Sequence, residues 1–288
     1  MSNATQQFHY YDGITSLHTQ HLKTHGILHF KQFVSAHTVK QLLFEVKSVE
    51  TFLLNKGATA VNGIPLKFGS DVNGAPLIQR IAFASQYSKV LKEFLKSDKV
   101  QQLVNLLAPF DGRIGETEKD GLVVNHYLNI DSSGFTRLGW HTDSPRDLFL
   151  GSRIKPMLNV GLHLDDCPQS NGGLRVLAGT HNKGLLTLFF KKKYFIDHKP
   201  DDKEVGLDIE AGDLTVHDGR LWHRVQQSPF IGEQSRRRVM YIPVVTGAYQ
   251  PKHELSGTPF YHKLAKLALA KPKKQAVPDF TPELTPTI

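Results

Sequence analysis

Two short stretches of the sequence carry side chains that are suited to binding one metal ion. Trp140-His141-Thr142-Asp143 places an imidazole and a carboxylate two residues apart, on one side of a turn or a strand end. Leu221-Trp222-His223-Arg224 follows roughly eighty residues later and brings a second imidazole. Two histidines and one carboxylate on one face of a metal leave three octahedral positions open, as in the facial triad of non-haem Fe(II) oxygenases. The two stretches therefore predict a metal centre of this kind.

Two further histidines offer alternative ligands. His163-Leu164-Asp165 repeats the His-x-Asp spacing, and His217 competes with His223 as the distant imidazole. With 15 histidines and 27 acidic residues in the chain, about one or two such spacings are expected by chance. The spacing alone leaves these alternatives open.

The composition restricts the kind of metal site and the compartment. The chain has one cysteine, Cys167, so neither an intrachain disulfide nor a thiolate cluster is expected. Any metal must be held by histidines and carboxylates, and a reducing cytoplasm is the expected location. The first residues lack the basic start and apolar core of a secretory signal, and no run of 18 apolar residues predicts a membrane span.

The positive charge of the chain favours an anionic partner. The formal net charge is +8 and the pI is about 9.4. Lysines and arginines are scattered, and no aromatic-basic recognition pattern accompanies them. An anionic small-molecule substrate is therefore expected rather than a nucleic acid or a membrane, and the oligomeric state is left open.

The first third of the chain predicts helices and loops. Residues 1–20 have the composition of a polar lead-in, and His25–Phe30 predicts a short strand. Ser35 is the expected N-cap of a helix with apolar residues every three or four positions, and a second helix is expected over Ser88–Leu107, with an interruption at Lys96–Asp98. Residues 56–80 are rich in Gly, Asn and Pro and predict loops with short extended pieces.

The remainder of the chain predicts a β-rich core. Leu122–Ile130 alternates, with Asn125, Tyr127 and Asn129 on one face. Further strands are expected at Met157–Leu164, Leu174–Leu177, Leu214–His217 and Val239–Val245, and Lys183–Asp208 predicts a lid or a peripheral insertion. Helices followed by many short strands indicate a β-sandwich or jelly roll with helices packed outside it.

These elements predict one domain over residues 1–288. It comprises a helical N-terminal part at about 20–110, a jelly-roll core at about 121–246 and a C-terminal extension at 247–288. The extension is expected to begin with a helix from Pro259 to Ala270 and to end loosely.

A run of three arginines, Arg236-Arg237-Arg238, leads into the last predicted strand. If Val239 and Tyr241 face the interior, alternation points Arg237 inward as well, where a guanidinium can clamp a carboxylate. A solvated turn is the alternative interpretation of the run.

The segment Gly161–His181 resembles a motif of the phytanoyl-CoA dioxygenase family. It has a strand, an Asp, a Pro-x-x-Asn-Gly turn and an apolar strand that ends in Gly-Thr-His. Trp-His-x-Asp precedes it, and Gly-Asp-Leu, Leu-x-His and a strand with an Arg follow it in the family's order. The resemblance runs from about residue 20 to residue 245.

The resemblance implies a double-stranded β-helix, or jelly roll, that depends on Fe(II), 2-oxoglutarate and O₂. His141, Asp143 and His223 occupy the iron-ligand positions, and His163, Asp165 and His181 then serve packing and hydrogen bonding. Arg237 matches the arginine that binds the distal carboxylate of 2-oxoglutarate, with Arg236 and Arg238 as alternatives. The family implies oxidation of an unactivated C–H bond, with succinate and CO₂ as co-products. Because related halogenases have a small residue at the position of Asp143, hydroxylation or desaturation is expected.

Several other residues are expected to line the pocket. They are Asn125, Tyr127 and Asn129 on their strand, Trp140 and Thr142 beside the metal, and Gln79-Arg80 from the loop region. The substrate is expected to be a small molecule, anionic or similar to an acyl-CoA. One alternative is a catalytically silent jelly-roll protein that binds a metal, and another is a nucleic-acid or protein demethylase of the same mechanism.

Overall fold

The computed structural model describes residues 3–11, 13–149 and 153–259. Its helices are α1 (Ser16–His25), α2 (Ala36–Asn55), α3 (Lys89–Lys96), α4 (Asp98–Gln101), α5 (Arg146–Phe149) and α6 (Gly184–Phe190). The expected N-cap of α2 is confirmed, since the Ser35 side chain accepts a hydrogen bond from the backbone N–H of Thr38. The predicted second helix is broken at Ser97, where α3 ends and α4 begins.

The strands are short, and their bounds are as follows: β1 (Gln7–His9), β2 (Ile27–Lys31), β3 (Ala60–Val61), β4 (Ile64–Pro65), β5 (Lys67–Ser70), β6 (Pro76–Ile81), β7 (Gly112–Ile114), β8 (Val123–Tyr127), β9 (Leu138–His141), β10 (Met157–His163), β11 (Gly173–Val176), β12 (Val205–Gly206), β13 (Leu214–Asp218), β14 (His223–Gln226) and β15 (Arg237–Thr246). Each strand predicted from residue 25 onward is present, with its ends shifted by a few residues.

Two sheets of the described residues form the β core. The larger has the order β1-β2-β13-β10-β15-β8-β6-β5, with β7 also pairing with β15, and the smaller has the order β12-β11-β14-β9. Side chains of both sheets meet in a cluster of Tyr127, Phe135, Val225 and Val239. This arrangement confirms the predicted jelly roll and places the ends of several strands around one interior.

Helices α1 to α4 cover the outer face of the larger sheet. In α2 the apolar residues Val39, Leu42, Val46, Val49 and Leu53 are buried, as their helical spacing predicts. They join one core with residues of β2, β6, β8, β10, β13 and β15. The opposite face of the sheet is therefore left for the interior of the jelly roll.

The N-terminal region differs from the expectation in two places. Residues 1–20 were expected to be a polar lead-in, yet they contribute β1 and the first half of α1, which begins at a capping box formed by Thr15 and His18. Residues 56–80 contain β3 to β6, and β5 and β6 extend the larger sheet. The N-terminal part is thus a mixture of helices and strands that is continuous with the β core.

The C-terminal region is irregular between β15 and residue 259. The helix predicted for Pro259–Ala270 lies outside the described residues, apart from Pro259 itself. Among the helices of the described residues, no helix combines the length and the apolar character needed to cross a bilayer.

Candidate metal centre

His141 and His223 are direct cross-strand partners on β9 and β14. Side chains of paired residues lie on the same face of a sheet, and the two ring centroids are 4.1 Å apart. In each ring Nδ1 lies 2.9 Å from a backbone carbonyl oxygen, that of Gly139 for His141 and that of Leu221 for His223. These carbonyls accept from Nδ1–H, so each Nε2 keeps its lone pair for a metal.

Asp143 follows β9 and brings a carboxylate to the two imidazoles. Its backbone N–H and that of Ser144 both donate to the carbonyl oxygen of Gly219, which ties the loop to the turn after β13. Asp143 Oδ1 lies 4.0 Å from His141 Nε2, and Oδ2 lies 3.8 Å from His223 Nε2. One donor atom from each of the three residues lies within 4.8 Å of the others. The structure thus brings the three predicted ligands together.

Two further side chains hold the carboxylate. Asn159 Nδ2 donates to Asp143 Oδ2 over 3.0 Å, and His217 Nε2 lies 3.4 Å from the same oxygen. His217 was predicted as an alternative to His223, whereas Asn159 was not predicted. The alternation of side chains along the two strands could have indicated both residues. Asn159 on β10 and His217 on β13 are register partners, and their side chains lie on the interior face.

The electrostatics of the three residues suit a cation. Burial lowers the pKa of His141, and burial with the neighbouring His141 and His217 lowers the pKa of His223 well below its usual value. Burial alone would raise the pKa of Asp143, but the hydrogen bond from His217 and the nearby histidines hold it well below the usual value. Neutral imidazoles and an ionised carboxylate are the ligands that bind Fe(II) in sites of this kind.

The alternative histidines make structural contacts. His163 Nε2 lies 3.0 Å from Thr215 Oγ1, and His181 Nε2 lies 3.1 Å from the carbonyl oxygen of Lys23. Asp165 accepts from the backbone and guanidinium of Arg238. His163, His181 and Asp165 thus make the packing and hydrogen-bonding contacts that the family resemblance implied.

The three consecutive arginines point in different directions. Arg236 pairs with Glu233 and donates to His126 Nε2, and Arg238 pairs with Asp165. Arg237 is 4 % exposed and lies in a cavity between the sheets, lined also by Tyr127, Val225, Val239 and Tyr241. Its guanidinium donates to the carbonyl oxygens of Gln226 and Thr136.

The other predicted pocket residues lie in three different places. Tyr127 lies in the cavity wall, 5.6 Å from the Arg237 guanidinium, and Asn125 donates to its hydroxyl. Thr142 instead shares a hydrogen bond of 2.6 Å with the hydroxyl of Tyr194, which in turn donates to the carbonyl oxygen of Leu188. Asn129 lies beyond the end of β8, and its side chain donates to the carbonyl oxygens of Ser228 and Phe230.

Tyr194 belongs to the segment that was predicted as a lid or an insertion, and this segment reaches the metal site. The Phe195 backbone N–H donates to the carbonyl oxygen of Trp140, and the Trp140 N–H donates to that of Asp197, along the edge of β9. The Phe195 ring stacks on His141 with centroids 4.9 Å apart. A Cβ at Gly139 would lie 2.6 Å from the Phe195 carbonyl oxygen, so this position requires glycine.

Comparisons with known proteins agree with this architecture. The family model "Phytanoyl-CoA dioxygenase (PhyH)" matches residues 22–231. No curated protein matches the chain.

Among solved structures, the carbocyclase SnoK from nogalamycin biosynthesis is 15% identical, with a TM-score of 0.61 over 88% of this chain and 91% of that chain. The epimerase SnoN in complex with Fe³⁺, α-ketoglutarate and nogalamycin RO is 15% identical, with a TM-score of 0.57 over 83% and 94% of the two chains. EvdO2 from Micromonospora carbonacea var. aurantiaca, complexed with 2-oxoglutarate, is 15% identical, with a TM-score of 0.55 over 85% and 97%. At this identity the likeness establishes the jelly-roll fold. Because the family model spans most of the chain and its histidine–aspartate–histidine cluster is assembled, the chain belongs to the phytanoyl-CoA dioxygenase family of Fe(II)- and 2-oxoglutarate-dependent dioxygenases.

Proposed function

We propose that His141, Asp143 and His223 hold Fe(II) and that Arg237 binds the distal carboxylate of 2-oxoglutarate. The observation that carries this proposal is the metal-binding cluster beside a cavity that contains a buried arginine. Fe(II) with 2-oxoglutarate and O₂ supplies the oxidising power that attacks an unactivated C–H bond, with succinate and CO₂ as co-products. The enzyme would hydroxylate or desaturate a small molecule in a reducing cytoplasm.

The residues of this chain prepare the site before any reaction. The carbonyl oxygens of Gly139 and Leu221 orient the two imidazoles, and Asn159 and His217 orient the carboxylate. The cavity around Arg237 is lined by Tyr127, Val225, Val239 and Tyr241 and also by Leu174, Cys167, His163 and Asp165, and most of its surface is apolar. A carboxylate bound there would be shielded from water, which strengthens its pairing with the guanidinium.

We also propose that the substrate carries an anionic group, as an acyl-CoA-like molecule would. Asp120 is shared by Arg80 at 2.7 Å and Arg146 at 2.8 Å, with Lys252 Nζ at 4.0 Å. Arg80 is the register partner of both Lys67 and Asn125, which connects this group to the cavity wall. Lys67 has no carboxylate within ion-pair distance among the described residues, and its amino group lies 4.2 Å from the Phe135 ring centroid. The amino group of Lys67 therefore favours an anion beside it.

The co-substrate role is tested by measuring succinate formed from 2-oxoglutarate in the presence of Fe(II) and O₂. Arg237→Gln removes the buried guanidinium, so the 2-oxoglutarate concentration at half-maximal rate is expected to rise about ten- to a hundredfold, the usual loss for a charged hydrogen bond. Arg236→Gln, which changes the neighbouring surface arginine, is the matched control and should stay near the parent. Equal effects of both substitutions would reject the role of Arg237. Metal binding without any 2-oxoglutarate turnover would favour the silent binding protein.

A further inference from the structure

The segment Lys183–Asp208, which was predicted as a lid or a peripheral insertion, exposes an unusual number of large apolar side chains. It is called the lid segment below. Leu185 is 66 % exposed, Leu186 78 %, Phe190 78 %, Phe195 54 % and Ile196 74 %. We call these five residues the apolar lid face. Soluble proteins rarely display contiguous apolar patches of this kind unless something binds them.

The exposure is fixed by how α6 is anchored. Leu188 is buried, and the carbonyl oxygens of Thr187 and Leu188 accept hydrogen bonds from the Trp222 indole and the Tyr194 hydroxyl. Leu186 and Phe190 are four residues apart and therefore lie on the same, outward side of the helix. The inward side of α6 is already occupied, so the apolar lid face is not an alternative packing surface for the same helix.

Basic residues flank the apolar lid face in the sequence. Residues 183–199 contain five lysines and one acidic residue, Asp197. Lys183, Lys191, Lys193 and Lys199 are exposed, whereas Lys192 pairs with Asp201 over 2.7 Å. Apolar side chains flanked by exposed lysines are typical of elements that lie in the interface of an anionic membrane. Lysine is depleted from protein–protein interfaces, so this composition favours a lipid surface over a protein partner.

We propose that the apolar lid face and its flanking lysines bind the surface of an anionic lipid bilayer. α6 has seven residues and is too short to span a membrane, so the contact is peripheral. No membrane partner was expected because the basic residues are scattered along the chain, but Lys191 to Lys193 form a short basic cluster next to the apolar lid face. Leu186, Phe190 and Ile196 enter the headgroup region, and Lys191 and Lys193 contact the phosphates.

The position of the segment gives the contact a consequence for catalysis. Phe195 stacks on the candidate metal ligand His141, so the lid face and the metal site belong to the same side of the protein. In a docked enzyme the metal site would face the bilayer, and the apolar part of an anionic, amphipathic substrate would enter from the lipid. This consequence rests on the proposed function, whereas the membrane contact itself does not.

Cosedimentation with vesicles tests the contact. The full chain is expected to bind vesicles of equal parts phosphatidylcholine and phosphatidylglycerol, and to bind phosphatidylcholine alone far more weakly. The double variant Leu186→Ser, Phe190→Ser should bind the mixed vesicles at least about tenfold more weakly, since two apolar side chains no longer leave water. Lys191→Gln should reduce binding roughly fivefold, and high salt should remove the preference for the anionic lipid.

Phe44→Ser is the matched control, because Phe44 is 71 % exposed on α2 and lies outside the lid. It should bind like the parent. The proposal is overturned if the parent does not bind mixed vesicles, or if the double variant binds as well as the parent. The parent could instead form dimers in the absence of lipid, and the double variant could fail to form them. That result would assign the apolar lid face to contact with a second copy of the chain and would also overturn the proposal. Succinate formation in solution, measured separately, tests the proposed function independently.

Discussion

Asn159 donates a hydrogen bond of 3.0 Å to Asp143, the single carboxylate of the metal-binding cluster. The bond fixes the direction of the carboxylate before a metal arrives. Asn159 lies on β10 in the centre of the larger sheet, whereas Asp143 lies in a loop beyond the smaller sheet. The loop carboxylate therefore takes its orientation from a rigid strand.

Replacing Asn159 should weaken metal binding. Asn159→Leu keeps the size of the side chain but removes the N–H donor, so the affinity for Ni(II) should fall about ten- to a hundredfold. Calorimetric titration measures the affinity, and Asn182→Leu, at an exposed asparagine bonded to the carbonyl oxygen of Lys23, is the control. Unchanged affinity in Asn159→Leu would show that the loop orients Asp143 unaided.

Gly139 should control the docking of the lid. A Cβ there would lie 2.6 Å from the carbonyl oxygen of Phe195, so Gly139→Ala should push the lid backbone off the edge of β9. The released segment should be cut faster by trypsin after Lys191 to Lys193, as measured by limited proteolysis. Gly134→Ala is the control, because a Cβ at Gly134 meets nothing within 4 Å. Equal cleavage rates in both variants would contradict the close approach.

His126 should make the folded protein sensitive to acid. Burial, followed by the charges of Arg236 and Arg238, lowers the pKa of His126 to about 3. The folded state then binds this proton more weakly than the unfolded chain, whose histidine has its usual pKa of about 6.5. Between about pH 3 and pH 6.5 the unfolded state therefore holds more protons, and the free energy of unfolding falls as the pH falls.

This single group contributes a slope of about 1.4 kcal/mol per pH unit within that window. Urea unfolding of the metal-free protein from pH 7 to pH 4.5 measures it. His126→Gln keeps an acceptor for Arg236 without a titrating ring, so its stability should depend less steeply on pH. A variant with the same slope as the parent would exclude His126 as a source of the acid sensitivity.

Much of the fold was predictable because it depends on local patterns. The apolar spacing after Ser35 and the alternation in β8, β10, β13 and β15 follow directly from burial of one face. Helix α1 was missed because two histidines, His18 and His21, provide much of its buried side and leave no apolar stripe. β5 and β6 were predicted only as short extended pieces among loops, because Gly and Pro dominate their surroundings and the strands depend on the pairing of β5 with β6 and of β6 with β8.

Motifs predicted His141, Asp143 and His223, which the structure brings together, and also Arg237, whose role stays a prediction. Asn159 was not, because an asparagine in a strand gains meaning only when the loop of Asp143 folds onto it. Thr142 was expected beside the cofactor, yet its hydroxyl binds Tyr194, a contact over 52 residues that no local pattern indicates. Whether Thr142 contacts the cofactor stays a prediction.

Anaerobic titration with Fe(II) and 2-oxoglutarate tests the central claim most directly, through the weak visible metal-to-ligand charge-transfer band of the ternary complex. The parent should develop the band, His141→Ala should lose it, and Arg237→Gln should need about ten- to a hundredfold more 2-oxoglutarate to reach it. Arg236→Gln should titrate like the parent. A parent that binds Fe(II) and never develops the band would contradict the account.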